Sequence, residues 1–307
     1  MKRLLIVGAS GYIGKNLERY LNNYSGGNQN RYKVETLSLR DRAWEEKDFS
    51  GYDSVIHLVG KAHADISRMS EEEQQEYYAV NCDLAVKVAS IAKNAGVSQF
   101  IYMSSVIVYG DSAGVGKQKH ITENTEPAPS NFYGDSKWKA EQELQKLADE
   151  HFHIAFVRSP MVYGPESKGN FPMLLKFARR LPVFPKVQNQ RSMIYIGNLT
   201  EFLRLLAESG LGGIFLPQNA SYISTAELVE MIGEAQGRRI HCLRILNLPV
   251  LLAGVIPGKV GKMVNKAFGS LTIEQGLTGD IGDYRIYSWE ESIRESVGTG
   301  KANRSGI

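Results

Sequence analysis

The opening of the chain restricts its fold more tightly than any other stretch. "RLLIVGA" (3–9) is a nearly continuous apolar run, and "GASGYIG" places Gly8, Gly11 and Gly14 three residues apart before an amphipathic pattern over 12–24. A strand that turns through glycines into a helix leaves backbone N–H groups at the positive helix end, with no Cβ to keep a pyrophosphate away. Glycines also close ordinary strand–helix turns. The strand before and the helix after this loop point to dinucleotide binding.

The rest of the first half repeats that rhythm. "KVETLSL" (33–39), "SVIHLVG" (54–60), "QFIYMSS" (99–105) and "IAFVRSP" (154–160) read as strands covered on both faces, with helices over 70–95 and 131–150 between them. Strand–helix alternation of this kind specifies an α/β fold, a Rossmann-type doubly wound parallel sheet with right-handed crossovers. After Pro160 the rhythm breaks into segments rich in glycine, proline and basic residues, and further helices are expected over 224–236 and 248–268 around a strand-like "RIHCLRIL". We expect residues 1–162 plus 193–222 to form the dinucleotide-binding domain. Residues 163–192 plus 223–296 would form a smaller, discontinuous C-terminal substrate domain, and 297–307 a frayed tail.

Composition narrows the partners. With 36 basic and 33 acidic residues the chain is nearly neutral, and no basic run interleaved with aromatics suggests nucleic acid. Cys82 and Cys242 lie far apart, and none of the six histidines shares metal-ligand spacing with a cysteine or carboxylate cluster, so no metal is expected. The N-terminus lacks a signal-peptide pattern, and the most apolar late stretch, "LPVLLAGVIPG" (248–258), is too short to span a bilayer. It reads as a buried helix of a small domain, with peripheral membrane contact as the other reading. The expectation is a soluble, cytoplasmic protein without an integral membrane segment.

Catalytic chemistry is suggested by "NFYGDSKWKAE" (131–141), where Tyr133 and Lys137 stand at i and i+4 on one helix face. A nearby ammonium favours phenolate and would lower the tyrosine pKa, as a general acid/base needs. Among 15 tyrosines one such pair is no more than chance supplies, so its placement matters. It follows "SSVIVYG", which sets Ser104 and Ser105 at the carboxyl end of the fourth strand, the edge where ligands bind in such folds. At the end of the second strand, "TLSLRDR" offers Ser38 and Arg40 where an acidic ribose-binding residue is common. An arginine there suits a 2′-phosphate, so NADP(H) is favoured, while Asp41 keeps NAD open.

With these residues in place the chain resembles the extended short-chain dehydrogenase/reductases of the epimerase/dehydratase family that act on nucleotide sugars. The matching stretches, in family order, are "GASGYIG", "VIHLVG", "YYAVN", "FIYMSSVIVYG", "YGDSK", "RSPMVYGP" and "RSMIYIGNL". The resemblance implies that Tyr133 is the acid/base, Lys137 its cofactor-binding partner, and Ser105 the catalytic hydroxyl. It also implies a pyrophosphate at Gly8, Gly11, Tyr12, Ile13 and Gly14, adenine beside Asp48 and Phe49, and the cofactor passing Leu58, Val59 and Gly60. Asn81 would be a structural asparagine near the site, and Asn170 and Arg191 would hold the diphosphate of a UDP-sugar. Helices 70–95 and 131–150 would form a homodimer interface.

Dehydratases of this family carry an Asp-Glu pair directly after the catalytic hydroxyl, where this chain has Val106 and Ile107. Reduction and epimerisation remain. The Ser38/Arg40 pattern and a likeness to capsule and O-antigen enzymes favour NADPH-dependent reduction of a UDP-4-keto-6-deoxy-N-acetylhexosamine at C4, toward UDP-FucNAc or UDP-QuiNAc. The alternatives are a UDP-hexose 4-epimerase and, remotely, a non-catalytic NADP-binding sensor. His57 is expected to pack rather than react, His63 is a candidate substrate contact, and "SEEEQQE" (70–76) reads as a solvated helix start.

Overall fold

The computed structural model of the chain describes residues 1–24, 31–62 and 69–298. In chain order its strands are β1 (Lys2–Val7), β2 (Tyr32–Leu37), β3 (Ser54–His57), β4 (Gln99–Ser105), β5 (His120–Ile121), β6 (His153–Ser159), β7 (Met161–Tyr163), β8 (Val183–Pro185), β9 (Met193–Tyr195), β10 (Gly213–Phe215), β11 (His241–Leu243) and β12 (Thr272–Ile273). The helices are α1 (Tyr12–Asn23), α2 (Glu71–Tyr78), α3 (Leu84–Asn94), α4 (Phe132–Gln145), α5 (Phe171–Arg180), α6 (Ile196–Ser209), α7 (Thr225–Ala235), α8 (Asn247–Val255), α9 (Lys259–Phe268) and α10 (Trp289–Gly298).

Six strands pair in parallel in the order β2-β1-β3-β4-β6-β10. Alternate residues of β1 explain why the strand reads as continuously apolar. Leu4 and Ile6 face a layer containing Leu17, Leu199 and Phe202, while Leu5 and Val7 face Ala85, Val88, Ala140 and Leu144. The first layer also takes in Leu174, Phe184, Leu228 and Ile232, so the segments expected to form a second unit share one contiguous core with the glycine-loop strand. Of the three two-stranded pairs, β8–β11 joins two of those late segments, β5–β12 ties the last of them back to the stretch after β4, and β7–β9 pairs the chain just after β6 with the strand before α6.

Strands and helices of the first half form where expected, with ends shifted by a few residues. The expected 70–95 helix is continuous but not uniform: Ala79–Asp83 forms a π-helical turn between α2 and α3. Its start obeys a local rule, since Ser70 Oγ accepts from Glu73 N while Glu73 closes the reciprocal capping bond, with acidic residues filling the first turn. Only His241–Leu243 of "RIHCLRIL" is strand, followed by a 3₁₀ turn at Arg244–Leu246. One expectation is overturned. The apolar stretch 248–258 is not a buried helix: α8 buries none of its residues, because its sequence is apolar around most of its circumference while only one side rests on the protein. Of the expected tail, Val297 and Gly298 end α10, and 299–307 lie outside the described residues, as does His63.

His57 closes β3 in full burial, stacked on Tyr102 at 6.0 Å between ring centroids, with no hydrogen-bond partner for either ring nitrogen among the described residues. Burial, aided by the charge of Lys137, pushes its pKa down to about 3. Above about pH 6.5 the ring is neutral in both folded and unfolded chains. As pH falls from there toward 3, only the unfolded chain takes up the proton, so stability declines by about 1.4 kcal/mol per pH unit. His57→Leu should remove this part of the slope. Urea unfolding midpoints followed from about pH 7 to about pH 5 would then fall less steeply in the variant than in the parent chain.

Candidate active site

The sheet order reverses between β1 and β3, since the chain leaves β1 for β2 on one side and returns to β3 on the other. In open α/β sheets this reversal opens a crevice at the carboxyl ends of the two strands. The loops there are Gly8–Gly11 after β1 and Leu58–Gly60 after β3, and they are stitched to the sheet by Gly8 N to Leu37 O (2.9 Å) and Leu58 N to Val7 O (2.9 Å). Gly14 and Gly11 have different tasks. A Cβ on Gly14 would lie 2.6 Å from Ala9 Cα and Gly8 O, so this glycine lets α1 pack against its own loop. A Cβ on Gly11 would meet only Gly8 O at 3.5 Å, an ordinary contact. The protein's packing does not require Gly11, whereas a ligand approaching the backbone there would. Gly11 caps α1 with no side-chain bond, and the first turn carries no acidic residue, leaving its N–H groups suited to an anion.

Tyr133 reaches the crevice through a second close approach. Asn131 Oδ1 caps α4 by accepting from Gly134 N (3.0 Å), and the helix then abuts the 3₁₀ turn Val106–Tyr109 that follows Ser105. A Cβ on Gly134 would stand 2.7 Å from Ile107 O, so only glycine permits this contact. It brings the Ser105 hydroxyl to the Tyr133 phenol, where it favours the ionised form. On the other side Tyr77 packs edge-on to Phe132 (4.9 Å) and Tyr133 (6.1 Å), and Tyr78 OH donates to Asp135 (2.7 Å). Ser136 Oγ donates to Tyr133 O and accepts from Asn81 Nδ2 (2.9 Å), so the π-helical turn that presents Asn81 is bolted to α4. Such turns recur at functional sites because they aim a side chain that a regular helix would direct elsewhere.

Lys137 lies one turn further on and is buried. Its Nζ donates to Met103 O (2.9 Å), sits 4.6 Å from the Tyr102 ring centroid, and would be 2.9 Å from a Cβ on Gly60. Burial draws its pKa down to about 8 against the opposing pull of Glu141. The expected lowering of the Tyr133 pKa is not what the structure shows. Burial, aided by Tyr77, pushes that phenol up to about 12 and outweighs Ser105, and the lysine ammonium is directed to Met103 O and the Tyr102 ring. Beneath the pair, Glu141 accepts from Ser104 and from Arg158 (Nη2 to Oε2, 2.6 Å), and Arg158 also donates to Tyr109 OH (2.5 Å). This buried ion pair clamps α4 to β4 and β6.

The other expected residues divide. Ser38 and Arg40 follow β2 on the surface beside the glycine loop, and Arg40 pairs with no carboxylate among the described residues, while Asp41 is occupied as a cap on Ala43 N (3.1 Å). Asp48 is exposed and accepts from Ser50, and the Phe49 side chain is buried in the core. Tyr12 turns its buried hydroxyl, without a hydrogen-bond partner among the described residues, toward Gly164, and Ile13 packs against the core. Asn170 begins α5 without a side-chain capping bond. Arg191 is partly committed elsewhere, since its Nη1 donates to Lys266 O (2.9 Å) and Ala267 O (3.2 Å) at the end of α9. No hydrogen bond joins Asn170 or Arg191 to Ser105, Tyr133 or Lys137 among the described residues. Sequence reading missed Gly134, the Glu141–Arg158 pair and Glu166. Glu166 is the one described non-glycine residue with positive φ (58°), and it lies close enough to Tyr12 to raise its pKa.

Comparison with known proteins places the chain in a family. The UDP-glucose 4-epimerase of Vibrio cholerae is 29% identical over 300 residues, spanning 91% of this chain and 86% of its own. The N-acetyl-alpha-D-glucosaminyl-diphospho-ditrans,octacis-undecaprenol 4-epimerase of Escherichia coli O157:H7 is 25% identical, spanning 86% and 82%. The fold is similar to that of dTDP-4-dehydrorhamnose reductase from Bacillus anthracis, solved in complex with NADP, at a TM-score of 0.70 and 20% identity over 97% of this chain and all of that one. The profile of the NAD dependent epimerase/dehydratase family matches residues 4–215, which include the crevice, the glycine loop and the Ser105, Tyr133 and Lys137 set. The chain belongs to the NAD dependent epimerase/dehydratase family, enzymes built on the extended short-chain dehydrogenase/reductase fold.

Proposed function

We propose that the protein is an NAD(P)-dependent oxidoreductase acting at C4 of a UDP-sugar, and that it reduces a UDP-4-keto-6-deoxy-N-acetylhexosamine with NADPH for a surface polysaccharide. The observation that carries the reading is the gathering of Ser105, Tyr133 and Lys137 at the crevice between β1 and β3. A nicotinamide cofactor, when bound, supplies the hydride. The residues fit one: Gly8, Gly11 and Gly14 with the first turn of α1 would take its pyrophosphate, Leu58 to Gly60 would flank it, and Lys137 beside Gly60 would meet its ribose. The Ser105 hydroxyl would hold the C4 oxygen, and Tyr133 would protonate it. A phenol kept protonated by burial is the form that a reduction requires. Lys137 would orient Tyr133 and stabilise the phenolate left after proton transfer.

Arg40 at the end of β2 favours the phosphorylated cofactor, and Val106 with Ile107 leave no proton-exchanging group for dehydration. Asn170 and the free edge of Arg191 would hold the UDP diphosphate. A second reading, 4-epimerisation of a UDP-hexose, is favoured by the activities named for the Vibrio and Escherichia relatives.

Incubation with UDP-4-keto-6-deoxy-GlcNAc and NADPH separates the two, with loss of the reduced-cofactor absorbance expected. Interconversion of UDP-GlcNAc and UDP-GalNAc without net cofactor oxidation would instead establish the epimerase. Tyr133→Phe should lower kcat by about 10²–10⁴-fold and leave cofactor affinity unchanged. The glycines should separate in a binding titration paired with thermal unfolding. Gly11→Ala should weaken cofactor binding about tenfold, or roughly 1.4 kcal/mol, at unchanged Tm. Gly14→Ala should cost about 1–3 kcal/mol of stability through overpacking. Arg40→Ala should weaken NADPH by about 10- to 100-fold while sparing NADH.

A further inference from the structure

Helices α8 and α9 form a hairpin whose outer face breaks the usual rule for a folded surface. Leu248, Leu251, Leu252 and Val255 recur at i, i+3, i+4 and i+7, the spacing of a core-facing stripe, yet the stripe faces solvent, with Leu252 59% and Val255 78% exposed. Ile245 before the stripe is 80% exposed, and Met263 on α9 extends the same kind of surface. A contiguous exposed patch of this kind marks an interaction surface.

Its charge identifies the partner. Residues 235–273 contain no aspartate or glutamate but carry Arg238, Arg239, Arg244, Lys259, Lys262 and Lys266. A chain with 33 acidic residues in 307 would place about four in such a segment at its own average. Exposed Arg244, Lys262 and Lys266 accompany the apolar side chains along α8 and α9, with no acidic residue in the same stretch of chain. Such a surface matches a bilayer with anionic headgroups, which takes the apolar face into its acyl boundary and the cations at its phosphates. The same charge disfavours a second copy, because two such faces would bring lysine and arginine against lysine and arginine. No described helix is long and apolar enough to cross a membrane, so the hairpin would lie along the surface.

The hairpin is also rigidly mounted. Asn265 accepts from Val115 N (2.9 Å) and donates to Gly254 O (2.9 Å), joining α9 to α8 and to the loop before β5. Ala113 N donates to Ser270 O (3.0 Å), and Arg191 secures the end of α9. That loop follows the 3₁₀ turn Val106–Tyr109 in the chain.

We propose that the α8–α9 hairpin is a docking surface for an anionic lipid bilayer, holding the protein peripherally at the membrane. The proposal does not rest on the reaction assigned above, and its test needs no substrate. The purified full chain is floated with vesicles of phosphatidylcholine containing about 30% phosphatidylglycerol, and with vesicles of phosphatidylcholine alone. The chain should rise with the anionic vesicles only, and should be released when salt is raised to about 0.5 M. Leu252→Ser with Val255→Ser, and separately Arg244→Glu with Lys262→Glu, should each reduce the bound fraction about tenfold while circular dichroism and cofactor binding stay as in the parent. Failure of the parent chain to float at low salt would overturn the proposal, as would undiminished binding by both variants. Conversion of a parent dimer to monomer by Leu252→Ser with Val255→Ser, seen by sedimentation velocity, would overturn it too and assign the face to a second copy.

Discussion

A cation in the interior governs the arrangement of the crevice. Among the described residues no carboxylate is in hydrogen-bond contact with buried Lys137, and an ammonium so placed must be compensated by its surroundings. The Met103 carbonyl, the face of Tyr102 and, one helical turn on, the charge of Glu141 supply that compensation. Glu141 in turn needs Arg158, and Arg158 needs Tyr109. The chain of dependence runs from α4 through β4 and β6 to the turn beyond Ser105. Lys137 and the residues around it are thus positioned by the electrostatics of groups that never reach the crevice.

This explains which parts of the molecule were legible in its sequence. The parallel sheet was readable because burial on both faces leaves runs such as "LLIV" and "QFIYM" that no half-exposed strand would show. The glycine loop and the Tyr133/Lys137 spacing were readable because local geometry fixes them within one turn. Long-range proximity was not. Gly134 looks like a minor blemish at a helix start until Ile107 is seen against it, and Glu141 looks like one more surface acid of "KAEQE" until Arg158 arrives from another strand. The pKa of Tyr133 was misjudged for the same reason. Helical spacing places two side chains on one face but does not say which way a flexible lysine turns, or how much water the phenol loses.

The late segments show a further limit. An apolar run of about ten residues carries no label distinguishing a helix that completes a core from one that adds nothing to it. The stretch 248–258 has the composition of the former and the exposure of the latter. Elsewhere in the same half Leu228 and Ile232 do enter the common core, with the capping box of α7 fixing where that helix begins.

The π-helical turn at Ala79–Asp83 has a consequence for how such a chain can change. It amounts to one residue more than a regular helix would use, and Asn81 on it bonds both Lys61 and Ser136. Deleting a residue there would give a better helix by every local measure, while rotating α2 by about 100° relative to α3. Tyr77 and Tyr78 would swing off α4, and the loop carrying Lys61 would lose its anchor. The irregular turn is therefore a register mark: substitutions can accumulate on either side of it, but the number of residues between Tyr77 and Leu84 cannot change.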